Sequence, residues 1–480
     1  MKLGEVLSGI RIVSTNCDMG TEVSGVECDS RKVSEGLLFF AIKGFKQDGN
    51  KYIPDALING ACAIVSEEAP KDRSIPYIQV INARFALADA AVNFHGHPSA
   101  TMKIIGVTGT NGKTTVTYLI KHVLEKNGAS VGLIGTNQNM IKERVLHTER
   151  TTPESHELQA LLRKMADEGC THVVMEVSSH SLVLGRVRGI TFDIGVFTNV
   201  SQDHLDFHES MDDYISAKAK LFLQSRIGVV NIDDEAGREI IRETRCEFVT
   251  YSAERNSADV VAKNIRLKPA LAEFEAVGYD SICRIEMNVP GRFSVYNALA
   301  AITALLVLGF GLNDIAAALK QVRGVKGRAE IVSVPAEYTV MIDYAHTPDG
   351  LANILKTVKD FAEGQVWAVF GCGGDRDRTK RPEMGKTAAL YADVVVVTSD
   401  NPRTEDKNAI IDDIIPGILR VRKDYIVIPD RREAIFYALA NAKKDDIIVL
   451  AGKGHETYQE INHIKYHMDE REIVAEFFNE

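Results

Sequence analysis

Residues 104–115 read IIGVTGTNGKTT, an apolar run that breaks into a glycine-rich turn and ends on Lys-Thr-Thr. A buried strand, a tight loop of Gly109, Thr110, Asn111 and Gly112, and a helix opening at Lys113 is the order that a phosphate-binding loop requires. Glycine lets backbone N–H groups close on phosphate oxygens, and the helix N-terminus adds a favourable dipole. Lys113 then reaches the terminal phosphates, Thr114 offers a hydroxyl to Mg²⁺, and Thr115 completes the nucleotide-binding candidates. The spacing departs from the common GxxxxGK[ST] form, because Val107 stands where the first glycine is usual and Gly106 lies one residue earlier. ATP binding is the expectation.

Working outward, short apolar strands alternate with amphipathic helices. The pattern predicts strands to 108 and over 171–177, 192–198 and 228–232, with helices over 113–126, 154–168 and 211–223. A β-rich insertion is expected over 259–289 and a helix over 293–308. A second such series has strands over 339–343, 366–371, 394–398, 425–428 and 447–451. The glycine-rich, basic junction at 324–328 between them reads as a hinge. Before residue 97 the chain mixes strands (36–42, 62–66) with a helix over 84–95, and His97-Pro98-Ser99 reads as a linker. The fold class is therefore α/β, with three domains. They are a mixed α/β unit over 1–99, a P-loop unit with a doubly wound, mostly parallel sheet over 100–327, and a Rossmann-like unit over 328–480.

At 480 residues, 45% hydrophobic and 25% charged, the composition is that of a soluble multi-domain protein. No apolar run reaches the roughly 18 residues of a membrane span, and the start lacks a signal peptide's pattern, so a cytoplasmic protein without membrane contact is expected. Seven scattered cysteines without a CxxC suggest reduced, structural thiols. A net charge of -10 argues against nucleic acid as a partner.

Glu176 ends the apolar run VVME, where a carboxylate beside the P-loop strand can hold the Mg²⁺ that bridges ATP phosphates. His204, in TNVSQDHLDFH, follows another strand and could serve a second cation; with His208 it could alternatively bind zinc. Lys218 and Lys220, in YISAKAKLF, read on pattern alone as the solvated face of a helix.

The loop variant together with Glu176, the DHLD segment and Lys218 resembles the Mur ligase signature, and further motifs extend that resemblance over nearly the full length. The resemblance implies that Lys218 is carbamylated, an anionic oxygen ligand for Mg²⁺ in place of a repelling ammonium. Metal ligands would then be Thr114, Glu176, His204 and Lys218 as carbamate, serving two Mg²⁺ ions. Asp29-Ser30-Arg31 resembles the segment touching the UDP moiety, with Ser30 the contact. Thr151-Thr152-Pro153 resembles the segment meeting the muramoyl tail, and Ser178 and Arg186 match substrate-contacting positions. In FSVYNALAA the family's Asn297 is retained, while Ser294 replaces another asparagine; Leu184 likewise replaces a glutamine of some relatives. Arg328, Asp343 and His346 match groups that approach ATP from the junction and the third domain.

Residues 400–403, Asp-Asn-Pro-Arg, follow the strand 394–398. Locally this is turn chemistry. The resemblance adds that relatives taking meso-diaminopimelate carry this motif, so that Arg403 would clamp a carboxylate with Asp400, Asn401 and Pro402 shaping the loop. Arg376, Gly452 and Glu456 resemble its companions, the last receiving an ammonium. The implied activity is ATP-driven addition of meso-diaminopimelate to the D-Glu γ-carboxylate of UDP-MurNAc-L-Ala-D-Glu through an acyl phosphate, by a monomer, in peptidoglycan precursor synthesis. The alternatives are a lysine-adding relative and a folylpolyglutamate-synthetase-like amide ligase.

Overall fold

The computed structural model describes residues 1–44, 47–146, 148, 150–201, 207–268, 271–322 and 324–479. Three large sheets organise the chain, of five, eleven and six strands, joined by a two-stranded hairpin near the C-terminus.

The P-loop strand Lys103–Thr108 lies inside the eleven-stranded sheet, parallel to His172–Glu176 on one side and Phe192–Phe197 on the other. Successive side chains of a strand point to opposite faces. Ile105 and Val107 accordingly pack with helix Lys113–Lys126 and helix Arg292–Val307, while Ile104 packs with Leu158, Leu162 and Met165 of helix Ser155–Asp167. Gly106, the displaced glycine of the signature, sits mid-strand; a Cβ there would stand 2.7 Å from the Phe192 ring, so its smallness serves sheet packing rather than phosphate. The expected β-rich insertion is not a separate module. Strands Val260–Lys268, Leu271–Gly278 and Ser281–Met287 run antiparallel and extend the edge of the same sheet.

Several boundaries move by a few residues. The helix expected over 211–223 stops at Ala219 and gives way to the 3-10 turn Phe222–Gln224. The linker at 97–99 opens the 3-10 turn Pro98–Thr101. Strands Val131–Ile134 and Glu247–Ser252 join the sheet unanticipated. Among the described residues no helix is long and apolar enough to cross a membrane.

The third sheet is parallel apart from its edge strand Glu330–Val332. Helices Pro348–Lys359, Lys380–Tyr391 and Lys407–Leu419 cover one face, and Arg431–Asn441 and Glu470–Asn479 the other. On the second face Arg431 and Glu470 form an ion pair with both side chains 0% exposed. The guanidinium also donates to Ala451 O (2.8 Å) and Ser399 O (3.3 Å), tying together the chain at the ends of two strands that flank strand Val366–Phe370. Breaking such a pair leaves an uncompensated buried charge, at a cost of about 3–5 kcal/mol. Arg431→Met should therefore lower the urea midpoint of the third unit sharply, and Arg431→Met with Glu470→Leu should recover most of it. The single tryptophan, Trp367, is buried in that sheet, so its fluorescence reads the transition.

Candidate active site

The P-loop takes its shape from two glycines at positive φ, Gly109 (+145°) and Gly112 (+87°). A Cβ on Gly109 would collide with the Thr198 hydroxyl, and one on Gly112 with the Asn297 amide oxygen. The loop is braced by the strand end beside it: Thr110 N donates to Asn199 O (2.8 Å), Asn111 N to Asn199 Oδ1 (3.0 Å), and Thr198 Oγ1 to Asn111 O (2.6 Å). Lys113 folds back and donates to Gly109 O (2.9 Å) and Thr110 O (2.8 Å), which holds its ammonium at the loop.

The loop opens on a cavity of about 760 Å³, lined also by Thr136, Thr151, Glu176, Ser178 and Asn297 and, from beyond the junction, Arg328, Asp343, Tyr344 and His346. That volume suits a nucleotide-sized ligand. Glu176 is 1% exposed, and its carboxylate accepts Thr136 N (2.8 Å) and Thr136 Oγ1 (3.0 Å). Among the described residues the donors recorded on this carboxylate are those of Thr136, and none is cationic. A buried carboxylate served only by neutral donors, with the Thr114 hydroxyl lining the same cavity, fits a hard, oxygen-seeking cation such as Mg²⁺.

Arg328 bridges the units. Its Nη2 donates to Thr114 Oγ1 (3.2 Å), and its guanidinium lies 4.8 Å from the Tyr344 ring centre. Asp343 accepts Ala329 N at 2.6 Å; burial raises its carboxyl above the usual range, while Arg328 pulls it down. His346 Nδ1 faces Tyr344 O at 2.8 Å. His455, its ring centre 5.0 Å from that of Tyr344, is pushed down to about 3 by burial and then by Arg328, Arg471 and neighbouring lysines, so its ring is neutral.

Lys218 is 1% exposed and its Nζ stands 4.1 Å from the Tyr214 ring centre. The reading of Lys218 as part of a solvated helix face is thereby corrected; Lys220 alone is exposed. His204 lies outside the described residues. His208 is buried with Nδ1 facing Asp213 Oδ2 (3.1 Å) and Nε2 facing Ser179 Oγ (2.9 Å), which leaves neither nitrogen for zinc.

The residues matched to the muramoyl tail form one network. Thr152 is 0% exposed, donates to Glu176 O (2.9 Å) and accepts Ser178 N (3.2 Å). Its hydroxyl is committed inside the protein, so Thr151 and Ser178 are the members that line the cavity. Arg186 lies behind them, donating to Thr152 O (3.1 Å) and pairing with Glu154 (2.7 Å). Ser30 is buried on the 3-10 turn Ser30–Lys32 and does not line this cavity. Ser294 turns its hydroxyl to Pro290 O (2.8 Å), just before the start of its own helix.

A second cluster forms outside the carboxyl ends of strands Val394–Val397 and Ile447–Ala451. Asn401 donates through Nδ2 to Glu456 (2.9 Å) and accepts the buried Lys453 ammonium at Oδ1 (2.8 Å), and Lys453 also reaches Glu456 (2.7 Å). Asp400 is buried; desolvation raises its carboxyl, but Lys453 and Arg431 outweigh it and hold it below the usual range. Arg403 has left-handed φ (+52°), stored strain of the kind found at working loops. Its Nη1 donates to Gly374 O (2.7 Å) and its Nε faces Glu460 (3.3 Å). Gly452, at φ +114°, gives Asp400 room: a Cβ there would stand 2.6 Å from its carboxylate. Arg376 is exposed and donates to Asp375 O (3.2 Å), apart from this network. Glu405, paired with the buried Arg381, is held down to about 2 and anchors the loop after Arg403.

Sequence reasoning missed Thr136, Tyr344 and the pair Tyr296–Asp233 (3.0 Å), which all line the cavity. Thr136, Tyr344 and Asp233 each lie within two residues after a strand, so the strand-end rule could have found them.

Three family models cover most of the chain: "Mur ligase family, catalytic domain" over 22–95, "Mur ligase middle domain" over 107–305, and "Mur ligase, glutamate ligase domain" over 327–454. A curated protein of Caldanaerobacter subterraneus subsp. tengcongensis, named UDP-N-acetylmuramoyl-L-alanyl-D-glutamate--2,6-diaminopimelate ligase, is 48% identical, covering 100% of this chain and 99% of its own. One of the same name from Clostridium tetani is 45% identical, covering 100% of both. Among solved structures, one titled as the same ligase superposes with a TM-score of 0.72 at 34% identity, covering 100% of this chain and 99% of its own.

The loop geometry generates a graded test. Gly109→Ala and Gly112→Ala place a methyl into occupied space at positive φ, and each should weaken binding of a non-hydrolysable ATP analogue about tenfold or more. Gly128→Ala, at φ +85° with open space around it, should leave that affinity unchanged in the same titration.

Proposed function

The chain belongs to the Mur ligase family, and from that premise we propose that it joins meso-diaminopimelate to the D-Glu γ-carboxylate of UDP-MurNAc-L-Ala-D-Glu, converting ATP to ADP and phosphate. The observation that carries the amino-acid assignment is that Asn401 meets Glu456 (2.9 Å) beyond the strand ends of the third sheet, with the Arg403 guanidinium on the same loop, held at Gly374 O (2.7 Å); a guanidinium and a carboxylate there suit the far amino-carboxylate end of diaminopimelate. L-Lysine has no carboxylate there and would leave Arg403 without its guest. The likeness in name of full-length relatives supports the same assignment.

In the first step a γ-carboxylate oxygen attacks the γ-phosphorus, and the bond to the bridging oxygen of ADP breaks. Both partners are anionic, so the barrier falls only if positive charge is fixed in place beforehand. Lys113 and Arg328 supply it from the two sides of the cavity. Thr114 and Glu176, with His204 and a carbamylated Lys218, would hold Mg²⁺, whose chemistry is to neutralise the β- and γ-phosphates. Lys218, buried in its present surroundings, would become the carbamate when its neutral amine takes up CO₂ and releases a proton. In the second step the amino acid's neutral amine attacks the acyl carbon, a tetrahedral intermediate forms, and phosphate leaves as the nitrogen loses its proton. Thr151, Ser178 and Arg186 would orient the muramoyl tail, and Ser30 the UDP end. Asp343, His346 and Asn297 would border the nucleotide. Closure of the third unit about 324–328 would exclude water from the acyl phosphate. We take the units to be 1–99, 100–327 and 328–480, and the reaction to be cytoplasmic.

With UDP-MurNAc-L-Ala-D-Glu and ATP present, meso-diaminopimelate should drive phosphate release and L-lysine should not. Arg403→Ala should cut kcat/KM for diaminopimelate about 10–100-fold, the scale of a charge-assisted hydrogen bond. Equal turnover with lysine, or an indifferent Arg403→Ala, would refute the assignment. Intact mass under native conditions should show one added CO₂ in wild type and none in Lys218→Ala.

A further inference from the structure

Away from the cavity, three side chains with metal-ligating atoms meet where the first sheet abuts the central unit. Glu27 closes strand Gly25–Glu27, Cys28 follows it, and His156 stands in the first turn of helix Ser155–Asp167. One ligand atom from each lies within 4.8 Å of the others. His156 is 8% exposed; its Nε2 stands 3.3 Å from Glu27 Oε1, and its Nδ1 is buried without a hydrogen-bond partner. Two ligands about 2.0–2.1 Å from a tetrahedral ion stand about 3.3 Å apart, so the Glu27–His156 spacing already matches one edge of such a site.

The charges agree with that reading. A thiolate and a carboxylate together cancel a divalent ion. The other acids nearby, Glu154 and Glu157, are already matched by Arg84 and Arg186 and by Lys32 and Arg150 respectively. Glu27 is held in place by backbone N–H donors from Cys28 (2.8 Å) and Asp29 (2.9 Å), as a ligating carboxylate should be. A sulfur, an imidazole and a carboxylate select a borderline ion of the zinc class over Mg²⁺.

We propose that Glu27, Cys28 and His156 form a binding site for a zinc-class divalent metal that fastens the first sheet to helix Ser155–Asp167, with solvent in the fourth position. The inference rests on these side chains alone, although they neighbour Ser30 and the segment 151–153, so its test reads metal binding and not turnover. Binding displaces the Cys28 thiol proton to solvent and forms a sulfur–metal bond, with no change of oxidation state.

The probe is Co²⁺, added to the metal-stripped full chain in excess Mg²⁺. Wild type should develop a thiolate-to-cobalt charge-transfer band in the near ultraviolet with tetrahedral visible bands, and Zn²⁺ should bleach both. Cys28→Ser should lose the near-ultraviolet band. His156→Gln should weaken Co²⁺ affinity by more than about tenfold, since even outer-shell partners act on that scale. Absence of the band in wild type, or its survival in Cys28→Ser, overturns the site. Should Cys28→Ser fail to fold, His156→Gln decides alone: it keeps the sulfur, and unchanged affinity refutes the proposal.

Discussion

Arg328 is the side chain on which the two halves of the nucleotide cavity meet. It is sequence-adjacent to a glycine-rich junction, yet its guanidinium reaches back to the P-loop hydroxyl of Thr114 while its flat face rests on Tyr344 of the third unit. The geometry is possible because Gly327 packs directly on the backbone of Gly454 and His455, where any Cβ would collide. The junction is further held by Asn137, which donates to Lys326 O at 2.8 Å. Arg328 thus faces the phosphate loop from outside the segment that builds it, and residues from both sides of this contact line the cavity.

Buried acids are satisfied in more than one way: Asp446, in the scaffold, accepts the neutral donors Gln365 N (2.7 Å), Trp367 Nε1 (3.1 Å) and Lys443 N (2.9 Å). Glu470 has Arg431 as a full partner, and Asp400 has the nearby charges of Lys453 and Arg431. These are charges satisfied within the fold, and they fix the strand ends of the third sheet. Glu176 receives only the neutral donors of Thr136. Burying a carboxylate without a countercharge is unfavourable, and Glu176, with only two donors and a place in the cavity wall beside Thr114, is where a bound cation would relieve that cost. The P-loop lysine shows the complementary state: its ammonium rests on loop carbonyls that a phosphate could displace.

Much of this was legible beforehand because parallel α/β architecture writes itself in short apolar runs that end in polar residues. The P-loop, Glu176, Asp343 and the Asp400–Arg403 turn all sit at such ends, and periodicity placed each within a residue or two of a strand terminus. The turn reading and the ligand reading of residues 400–403 are compatible. Asn401 binds Lys453 and Glu456, and Arg403 is carried in a strained conformation onto the hairpin at 458–467. Lys218 was misread on pattern alone, since a helix lysine is ordinarily solvated and nothing local announces that Tyr214 and its neighbours enclose it. Thr152 was read as a ligand contact, whereas its hydroxyl is spent on the Glu176 backbone.

The amino-acid sequence by itself determined the order of strands and helices, the phosphate loop and the residue types at strand ends, because these depend on spacing and local backbone chemistry. Which of those residues share a cavity was decided only by the tertiary structure. Thr136 and Asn297 lie 161 positions apart, as 297 − 136 gives, yet line one volume. Glu27 and His156 come within 3.3 Å across the boundary between two sheets. Such meetings follow from how whole layers pack and which charges are left without a partner inside, and no local pattern encodes either.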